Sequence, residues 1–420
     1  MKTDIIIVGS GCAGIFCALS LPKEKQITII TKDKAERSDS FLAQGGMCML
    51  KDESDYDSYY EDTMKAGHYE NNPLSVEIMI RSSRHIVDRL LEYGADFHRE
   101  PDGSLSYTKE GAHSHHRIIF HEDATGREIT STLLARAMEA PNITLMEDVT
   151  MLDIICDKEQ CYGIIAADKD EHIHEIYADH TVLACGGIGG LYRHSTNYRH
   201  LTGDGVAVAL KHGIETEHLN YVQIHPTTLY TPDRSKRSFL ISESVRGEGA
   251  LLYDKYHNRF VDELLPRDLL TIEIRKQMEK DDTAYIWEDM SVIDERELRE
   301  HFPNIIEHCR KQGYDVFHEC IPVVPAQHYF MGGIKVDSVS KTSMDRLYAI
   351  GETACNGVHG KNRLASNSLL ESLVFAERAA EDMAKDKTGP TGCPVDINYD
   401  EYKDMQALEI AYRNLVLERL

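Results

Sequence analysis

The stretch Asp4-Ile5-Ile6-Ile7-Val8-Gly9-Ser10-Gly11-Cys12-Ala13-Gly14 opens the chain and decides its fold. Its apolar run is typical of a buried parallel strand, and the residues that follow it favour a helix. Glycines spaced as G-x-G-x-x-G between a strand and a helix allow a tight turn, the close approach of a pyrophosphate and close helix–strand packing. Because a helix N-terminus also attracts anions, this stretch predicts a dinucleotide site.

Composition narrows the class of protein. The 420-residue chain carries 46 basic and 70 acidic side chains, a net charge of −24, which argues against nucleic acid or an anionic membrane as a partner. The length favours about two or three domains. No apolar run reaches about 18 residues and the first strand begins at once, so we expect no transmembrane helix and no signal peptide. Ten cysteines without a C-x-x-C pair predict reduced thiols, no metal site and a cytoplasmic location.

Strand-like segments recur at distant points of the chain. After the first strand come strands over 27–31 and 181–185, and another over 347–352 ends on a glycine and an acid. The pattern is helical over 57–93 and 128–138, and the charged segment 235–320 is also helical in pattern. We therefore predict an α/β fold with a discontinuous Rossmann-like domain over 1–220 and 336–385, an inserted α+β capping domain over 221–335, a linker over 388–392 and a last helix over 402–420.

A lysine stands where nucleotide-binding folds usually place an acid for the ribose. Lys32 follows the glycine turn by about twenty residues, and this departure weakens an NAD interpretation. Glu352 and Asp204 are the carboxylates that could hold a ribose or ribityl hydroxyl, unless they only cap helices. Nucleotide-binding segments from distant parts of the chain favour a long flavin that lies between two domains. This arrangement indicates FAD.

Four cations could bind an anionic substrate. His225, Arg267, His328 and Arg363 each lie in or beside a turn-like sequence. Arginine clamps carboxylates bidentately and imidazole adds hydrogen-bond donors, so together they would suit a small dicarboxylate, although each alone could be structural. Glu110 precedes a His-rich run that could also be a surface loop. In a cationic pocket, this carboxylate would receive a substrate ammonium.

Further motifs extend the pattern along most of the chain. They resemble those of the L-aspartate oxidases, within the flavoproteins of succinate dehydrogenase and fumarate reductase. The resemblance implies FAD-dependent oxidation of L-aspartate to iminoaspartate by hydride transfer to flavin N5, with oxygen or fumarate as acceptor, as the first step of quinolinate and NAD biosynthesis. The matching motifs lie at 9–14, 43–46, 113–114, 123–126, 202–205, 225–227, 243–249, 266–268, 328–329 and 363–369.

The resemblance also implies roles for individual residues. Arg267 is implied as the proton-transferring residue, with Asp268 or Glu248 needed as a proton relay because an arginine has a pKa above about 12. Asp39 stands where the dehydrogenases attach FAD through a histidine, so we expect non-covalent FAD. The implied substrate contacts are Glu110 for the ammonium and His225, Ser242 (usually Thr in the family), His328 and Arg363. The expected FAD contacts are Gly9, Ser10, Gly11, Cys12, Ala13, Gly14, Lys32, Asp39, Ser40, Gln44, Gly45, Gly46, Asp204, Glu352, Asn367, Ser368 and Leu369.

Two alternatives remain open at this point. A soluble fumarate reductase or succinate dehydrogenase-type flavoprotein would share the cations but should lack an acid at Glu110. A non-catalytic FAD-binding paralogue is suggested by segment 386–420, which we expect to be a shortened form of the family's C-terminal helical domain. Expected partners are L-aspartate, fumarate as acceptor and a functional link to quinolinate synthase. The sequence leaves monomer and homodimer both open.

Overall fold

The computed structural model describes residues 1–233, 236–386, 389 and 395–420. Strands and helices alternate in its first part, as the opening motif predicts. The elements up to residue 183 are β1 (Lys2–Val8), α1 (Cys12–Ser20), β2 (Ile27–Thr31), β3 (Met47–Cys48), α2 (Tyr56–Ala66), α3 (Pro73–Tyr93), β4 (Ile118–Ile119), α4 (Thr125–Glu139), β5 (Ile143–Glu147), β6 (Thr150–Cys156), β7 (Cys161–Ala167) and β8 (Ile173–Leu183).

The second part mixes short strands with helices. Its elements are α5 (Asp204–Lys211), β9 (Thr216–Glu217), β10 (Val222–Leu229), β11 (Phe239–Leu240), α6 (Glu243–Gly247), β12 (Leu251–Tyr253), α7 (Arg267–Asp281), β13 (Ile286–Asp289), α8 (Glu295–His301), α9 (Pro303–Lys311), β14 (Ile321–Phe330), β15 (Gly333–Lys335), β16 (Leu347–Ala349), β17 (Ala354–Cys355), α10 (Asn367–Lys385) and α11 (Met405–Leu417).

The largest sheet has seven strands and a parallel centre. Its order is β5-β2-β1-β8-β7-β6, and β16 also pairs with β8. Strands β1, β2, β5, β8 and β16 run parallel, so Val8 lies beside Ile30 and Leu183 at one edge. Ligands of such sheets bind outside the carboxyl ends of the strands, where the glycine turn begins. The predicted α/β Rossmann-like fold is confirmed.

An antiparallel sheet of five strands, in the order β11-β10-β14-β13-β12, forms the core of the cap. Its strands and helices α6 to α9 fall within the predicted insert over 221–335, whose exact boundaries stay a prediction. The helical interpretation of 235–320 is wrong in part, because β11, β12 and β13 also lie there. These strands are only two to four residues long. Buried and half-buried side chains alternate along β13, and its polar residues mask the strand pattern in the sequence.

Some predicted boundaries need correction. The helix predicted over 57–93 is two helices, because the chain breaks at Gly67 and Pro73 starts α3 as its first residue. The last helix begins at Met405, after Asp404 accepts a hydrogen bond from the Ala407 amide as its N-cap. Most of the linker predicted over 388–392 lies outside the described residues.

Three further observations bear on the predicted class of protein. No described helix combines the length and apolarity needed to cross a membrane. The nine cysteines within the described ranges are free thiols, whereas Cys393 lies outside those ranges. Asp168, Asp170 and His172 are the three metal-ligating side chains that converge among the described residues. They lie in the turn between β7 and β8, outside the cleft described next.

Candidate active site

A cleft lies between the carboxyl edge of the parallel sheet and the cap. It encloses about 1590 Å³ with its open mouth included. The glycine turn and the predicted substrate residues both lie on its walls, so one cleft joins the predicted dinucleotide and substrate sites. Every predicted site residue except Gly14 and Asn367 lines it.

Gly14 and Asn367 support the cleft from behind. A Cβ on Gly14 would lie 2.1 Å from the Gly9 carbonyl oxygen, so this glycine allows α1 to pack against the turn. The Asn367 side chain accepts a hydrogen bond from the Tyr59 hydroxyl at 2.8 Å and donates one to the Thr63 hydroxyl at 3.2 Å. Both contacts bind the start of α10 to α2, which leaves the predicted FAD contact of Asn367 without support from the side-chain geometry.

The glycine turn presents backbone to the cleft. Gly9 has a φ of +118°, and a Cβ there would lie 2.0 Å from the Ala184 carbonyl oxygen. No side chain caps the N-terminus of α1, although the Cys12 amide donates to the Ser40 hydroxyl at 2.9 Å. An uncapped helix N-terminus beside a side-chain-free turn is suited to a pyrophosphate.

The carboxylates predicted for the ribose and ribityl groups differ in their surroundings. Asp204 forms an ion pair with Lys32 at 2.6 Å on the cleft wall. Glu352 accepts a hydrogen bond from the Phe330 amide at 2.8 Å, and burial together with the Asp39 carboxylate raises the pKa of Glu352 to about 8. Glu352 is therefore largely protonated near pH 7 and can donate a hydrogen bond to a ligand.

Unpartnered polar atoms mark the middle of the cleft. One Asp39 carboxylate oxygen and the Gln44 amide oxygen are buried without a hydrogen-bond partner. The other Asp39 oxygen accepts from the Tyr198 amide at 3.0 Å, and burial raises the pKa of Asp39 to about 7. Buried polar atoms normally have partners, so these two acceptor oxygens fit a ligand that offers hydrogen-bond donors, as FAD does.

The four predicted cations meet in one place. The Gln223 amide oxygen accepts from Arg267 Nη1 at 2.8 Å and from Arg363 Nε at 3.3 Å. Arg363 Nη2 donates to His328 Nε2 at 3.2 Å, and the His225 and His328 rings lie 5.2 Å apart. Two guanidinium groups and two imidazoles thus line one end of the cleft, an arrangement suited to carboxylates.

Both histidines lie in strands, His225 in β10 and His328 near the end of β14. The pairing of β10 with β14 shifts register on both sides of His225, and such bulges re-aim side chains. Burial, with the charges of Arg267 and Arg363 respectively, holds the pKa values of His225 and His328 well below the ordinary range. His225 Nδ1 contacts the Thr227 carbonyl oxygen at 2.9 Å, while its Nε2 is buried without a partner and can bind a ligand.

Glu110 adds an acid to this cationic end. Its Oε1 accepts from the Ser244 hydroxyl at 2.9 Å, and its Oε2 accepts from the Ser366 hydroxyl at 2.6 Å. Burial and the nearby Glu243 carboxylate raise the pKa of Glu110. Ser242 also lines the cleft, and its hydroxyl caps α6 by accepting from the Ser244 amide. Glu110 is held by neutral hydroxyls, so its charge is available to a cationic ligand.

A second acid contacts Arg267 directly. Arg267 Nε donates to Glu243 Oε2 at 2.5 Å, and Arg246 Nη2 lies 4.0 Å from the same oxygen. Burial opposes the ionisation of Glu243, but the two guanidinium charges hold its pKa below the usual range. The expected relays pair with other residues, Asp268 with His68 at 3.0 Å and Glu248 with His301 at 2.8 Å.

Four site residues were missed by the sequence analysis. Glu243, Ser244 and Ser366 lie inside motifs that were recognised at 243–249 and 363–369, so their position gave a signal that was not used. Gln223 gave none, because a single amide in an apolar strand has many structural explanations. Its role depends on the spatial approach of two arginines that are distant in sequence.

Comparisons with known proteins agree with this architecture. The family described as "FAD binding domain" matches residues 4–369. L-aspartate oxidase from Clostridium acetobutylicum is 46% identical over 383 residues, which cover 91% of this chain and 88% of that protein. L-aspartate oxidase from Bacillus subtilis is 41% identical over 390 residues, covering 90% and 72%. The FrdA chain of an E. coli quinol fumarate reductase mutant has a TM-score of 0.87 at 29% identity, covering 100% of this chain and 74% of that chain.

Proposed function

The chain belongs to the L-aspartate oxidase family, and we propose that the acid and the cations of its cleft hold L-aspartate for oxidation to iminoaspartate. FAD as the cofactor and L-aspartate oxidation as the reaction, both expected from the sequence, are confirmed by these relatives. The observation that carries the assignment of the site is Glu110, a buried carboxylate among cations that otherwise suit a dicarboxylate.

We assign the two ends of the substrate to different groups. Arg363 would clamp a carboxylate, because Gln223, His328 and Ser368 already fix its guanidinium. His225 would bind the other carboxylate through its unpartnered Nε2, with Ser242 nearby on the cleft wall. The substrate ammonium would then pair with Glu110, which fixes the orientation of the Cα–H bond.

FAD would be held without a covalent bond. When bound, it would accept the hydride that leaves the substrate Cα. Asp39 offers no imidazole for attachment, and its unpartnered oxygen fits a hydrogen bond to the cofactor. The residues proposed to hold FAD are those of the glycine turn together with Lys32, Asp39, Ser40, Gln44, Gly45, Gly46, Asp204, Glu352, Ser368 and Leu369.

Arg267 would exchange a proton with the substrate. Glu243, which contacts Arg267 Nε, would then exchange a proton with Arg267. A guanidinium normally keeps its proton, with a pKa of about 12 or more. Here Arg363 adds a second positive charge beside it, and the ionised Glu243 would first accept a proton and then pass it to Arg267. If fumarate is the acceptor, Arg267 would protonate one carbon while the adjacent carbon receives the hydride. Oxygen is the other acceptor that we propose.

Anaerobic titration tests the assignment. The yellow holoenzyme should bleach with L-aspartate, and the bleached protein should regain its colour with fumarate. A fumarate reductase-type flavoprotein is the second candidate, because the fumarate reductase chain shares the whole fold. That candidate predicts bleaching by succinate and none by aspartate, and bleaching by neither would indicate a non-catalytic paralogue.

Other expectations from the sequence stay predictions. They are the functional link to quinolinate synthase, the cytoplasmic location and the choice between monomer and homodimer. The matching relatives support the substrate, and fumarate fits the same cations.

A further inference from the structure

A histidine at the end of α5 links a cysteine to a buried acid, outside the walls of the cleft. His212 Nδ1 lies 3.3 Å from Cys156 Sγ, and His212 Nε2 lies 2.7 Å from Asp153 Oδ1. Asp153 and Cys156 belong to β6, and His212 is the residue at which α5 ends. A thiol, an imidazole and a carboxylate in this order form the arrangement in which a base activates a nucleophile.

The acid determines which imidazole nitrogen carries the proton. Asp153 is 1% exposed, and Lys211 Nζ also contacts its carboxylate at 2.6 Å. Burial opposes the ionisation of Asp153, but the contacts with His212 and Lys211 hold its pKa below the usual range. An ionised carboxylate only accepts hydrogen bonds, so Nε2 of the neutral imidazole donates to Asp153. Nδ1 is then the acceptor that faces the thiol.

The Cys156 thiol needs such a base. The residue is half-buried, and burial raises the pKa of its thiol to about 12. The thiol therefore keeps its proton at neutral pH until a base removes it. His212 is placed to do so, in the way that a histidine activates a serine hydroxyl, which is also protonated at neutral pH.

A second cysteine lies directly opposite the first. In the antiparallel pairing of β6 with β7, Cys156 is the partner of Cys161, and the register shifts just before this pair. The shift brings Cys161 rather than Tyr162 opposite Cys156, because bulges re-aim side chains. Cα atoms of opposite residues in an antiparallel pair lie about 4.5–5.5 Å apart, and a disulfide needs about 4.4–6.8 Å. Both cysteines pack in the apolar cluster beneath α5, so they share one face of the sheet.

We propose that Cys156 is a site of oxidation by hydrogen peroxide, with His212 as its base and Cys161 as the thiol that closes a disulfide. The Cys156 sulfur attacks one peroxide oxygen and the O–O bond breaks. His212 takes the thiol proton and returns it to the leaving hydroxide, which gives a sulfenic acid and water. The Cys161 sulfur then attacks the Cys156 sulfur, the S–OH bond breaks, and a second water leaves with the Cys161 proton. The two sulfurs together lose two electrons, which peroxide gains.

The proposed reaction of the cleft supplies this oxidant when oxygen is the acceptor. Oxygen that takes two electrons and two protons from the reduced enzyme leaves as hydrogen peroxide. Helix α5 begins at Asp204 on the cleft wall and ends at His212, and its eight residues span about 12 Å. The cleft and the thiol thus lie at opposite ends of one short helix. The inference goes beyond the aspartate site and is tested apart from it, because peroxide can be added.

Peroxide treatment of the purified holoenzyme, followed by alkylation and tryptic digestion without reductant, tests the site. Because trypsin cleaves after Lys158, the disulfide should join peptides 137–158 and 159–169 in one species that dithiothreitol separates. Cys320 is the internal control, since it is also half-buried and lies 4.0 Å from a histidine nitrogen. We expect the Cys156 thiol to be lost at least about tenfold faster than that of Cys320.

Two variants separate the base from the second thiol. His212→Gln keeps a side-chain amide near Asp153 but removes the base, so oxidation of Cys156 should slow at least about tenfold. Cys161→Ser removes the second thiol, so Cys156 should accumulate as a sulfenic acid that dimedone labels. Neither variant should change the rate at which aspartate bleaches the flavin, because both residues lie outside the cleft.

Three results would overturn the inference. Cys156 oxidation no faster than that of Cys320 would show that the thiol is not activated, and an unchanged rate in His212→Gln would remove the base. Oxidation of Cys156 in the parent without the disulfide would remove the role of Cys161. If His212→Gln does not fold, the comparison with Cys320 and the Cys161→Ser variant decide the question. A parent that forms the disulfide but is not bleached by aspartate would refute the proposed function and leave this inference intact.

Discussion

The substitution Glu110→Gln tests the core of the proposed site. Glutamine keeps nearly the same shape and removes the negative charge, while the Ser244 and Ser366 hydroxyls remain in place. Glu243 cannot replace that charge, because Arg267 contacts it at 2.5 Å and Arg246 lies 4.0 Å away. An ammonium that enters the variant would meet the Arg267 and Arg363 charges without a free acid.

The size of the effect follows from the lost contact. A hydrogen bond between charged groups contributes about 1.5–3 kcal/mol. The upper value applies here, because the substrate ammonium would be left beside the positive charges of Arg267 and Arg363. About 3 kcal/mol corresponds to about 100-fold, since each 1.4 kcal/mol is tenfold. We expect kcat/KM for L-aspartate to fall by about this factor. Fumarate has no ammonium, so its reduction should change by less than about threefold.

Anaerobic stopped-flow rates over a range of aspartate and fumarate concentrations measure both quantities in one preparation. Ser244→Ala is the matched control, because it removes a hydroxyl from Glu110 Oε1 and leaves the charge. It should cost less than about tenfold in aspartate reduction, in line with about 1 kcal/mol for a neutral hydrogen bond. Aspartate kinetics that stay within about threefold in Glu110→Gln, or an equal loss with fumarate, would refute Glu110 as the ammonium site.

Three further predictions concern other parts of the molecule. Arg267→Leu should lower aspartate and fumarate turnover by at least about 100-fold while the protein stays yellow; retained turnover of both would remove Arg267 from proton transfer. Gly9→Ala should yield protein with little flavin absorbance, because its Cβ would lie 2.0 Å from the Ala184 carbonyl oxygen at a φ of +118°; normal flavin content would contradict the cradle. Glu288→Gln should gain in unfolding temperature relative to the parent from about pH 5 to about pH 8. The pKa of Glu288 is raised to about 8 in the folded state, so its stabilisation is complete below the unfolded value of about 4.3 and is lost as pH rises; a constant difference would refute it.

Local signals predicted the parallel half of the fold. The apolar runs of β1 and β2 and the glycine turn each carry their own pattern, so their structure follows from neighbours in sequence. The cap lacks such signals. His225 and His328 meet because β10 pairs with β14, and Ile224 opposite Gln327 fixes that register. Such pairing joins residues about a hundred positions apart, and no local pattern encodes it.

The contacts of Arg267 show how sequence proximity misleads. Asp268 follows Arg267 in the chain, but successive residues of a helix do not face each other, so Asp268 reaches His68 instead. Glu243 lies far away in sequence, on the short helix α6, and contacts Arg267. A prediction from adjacency misses a contact partner that lies on another element.

The pKa values of the two acids of the cleft shift in opposite directions because the acids have different partners. Glu243 is flanked by Arg267 and Arg246, which keep its pKa low in spite of its burial and hold it in the ionised form. The hydrogen bonds that the Glu110 carboxylate accepts from described residues come from hydroxyl groups, and burial and Glu243 raise its pKa. An arriving ammonium stabilises the ionised form of Glu110, whereas a dianion without an ammonium favours the protonated form. In the proposed site, one set of cations would therefore accept both aspartate and fumarate, because the charge of Glu110 would adjust to the ligand while that of Glu243 would not.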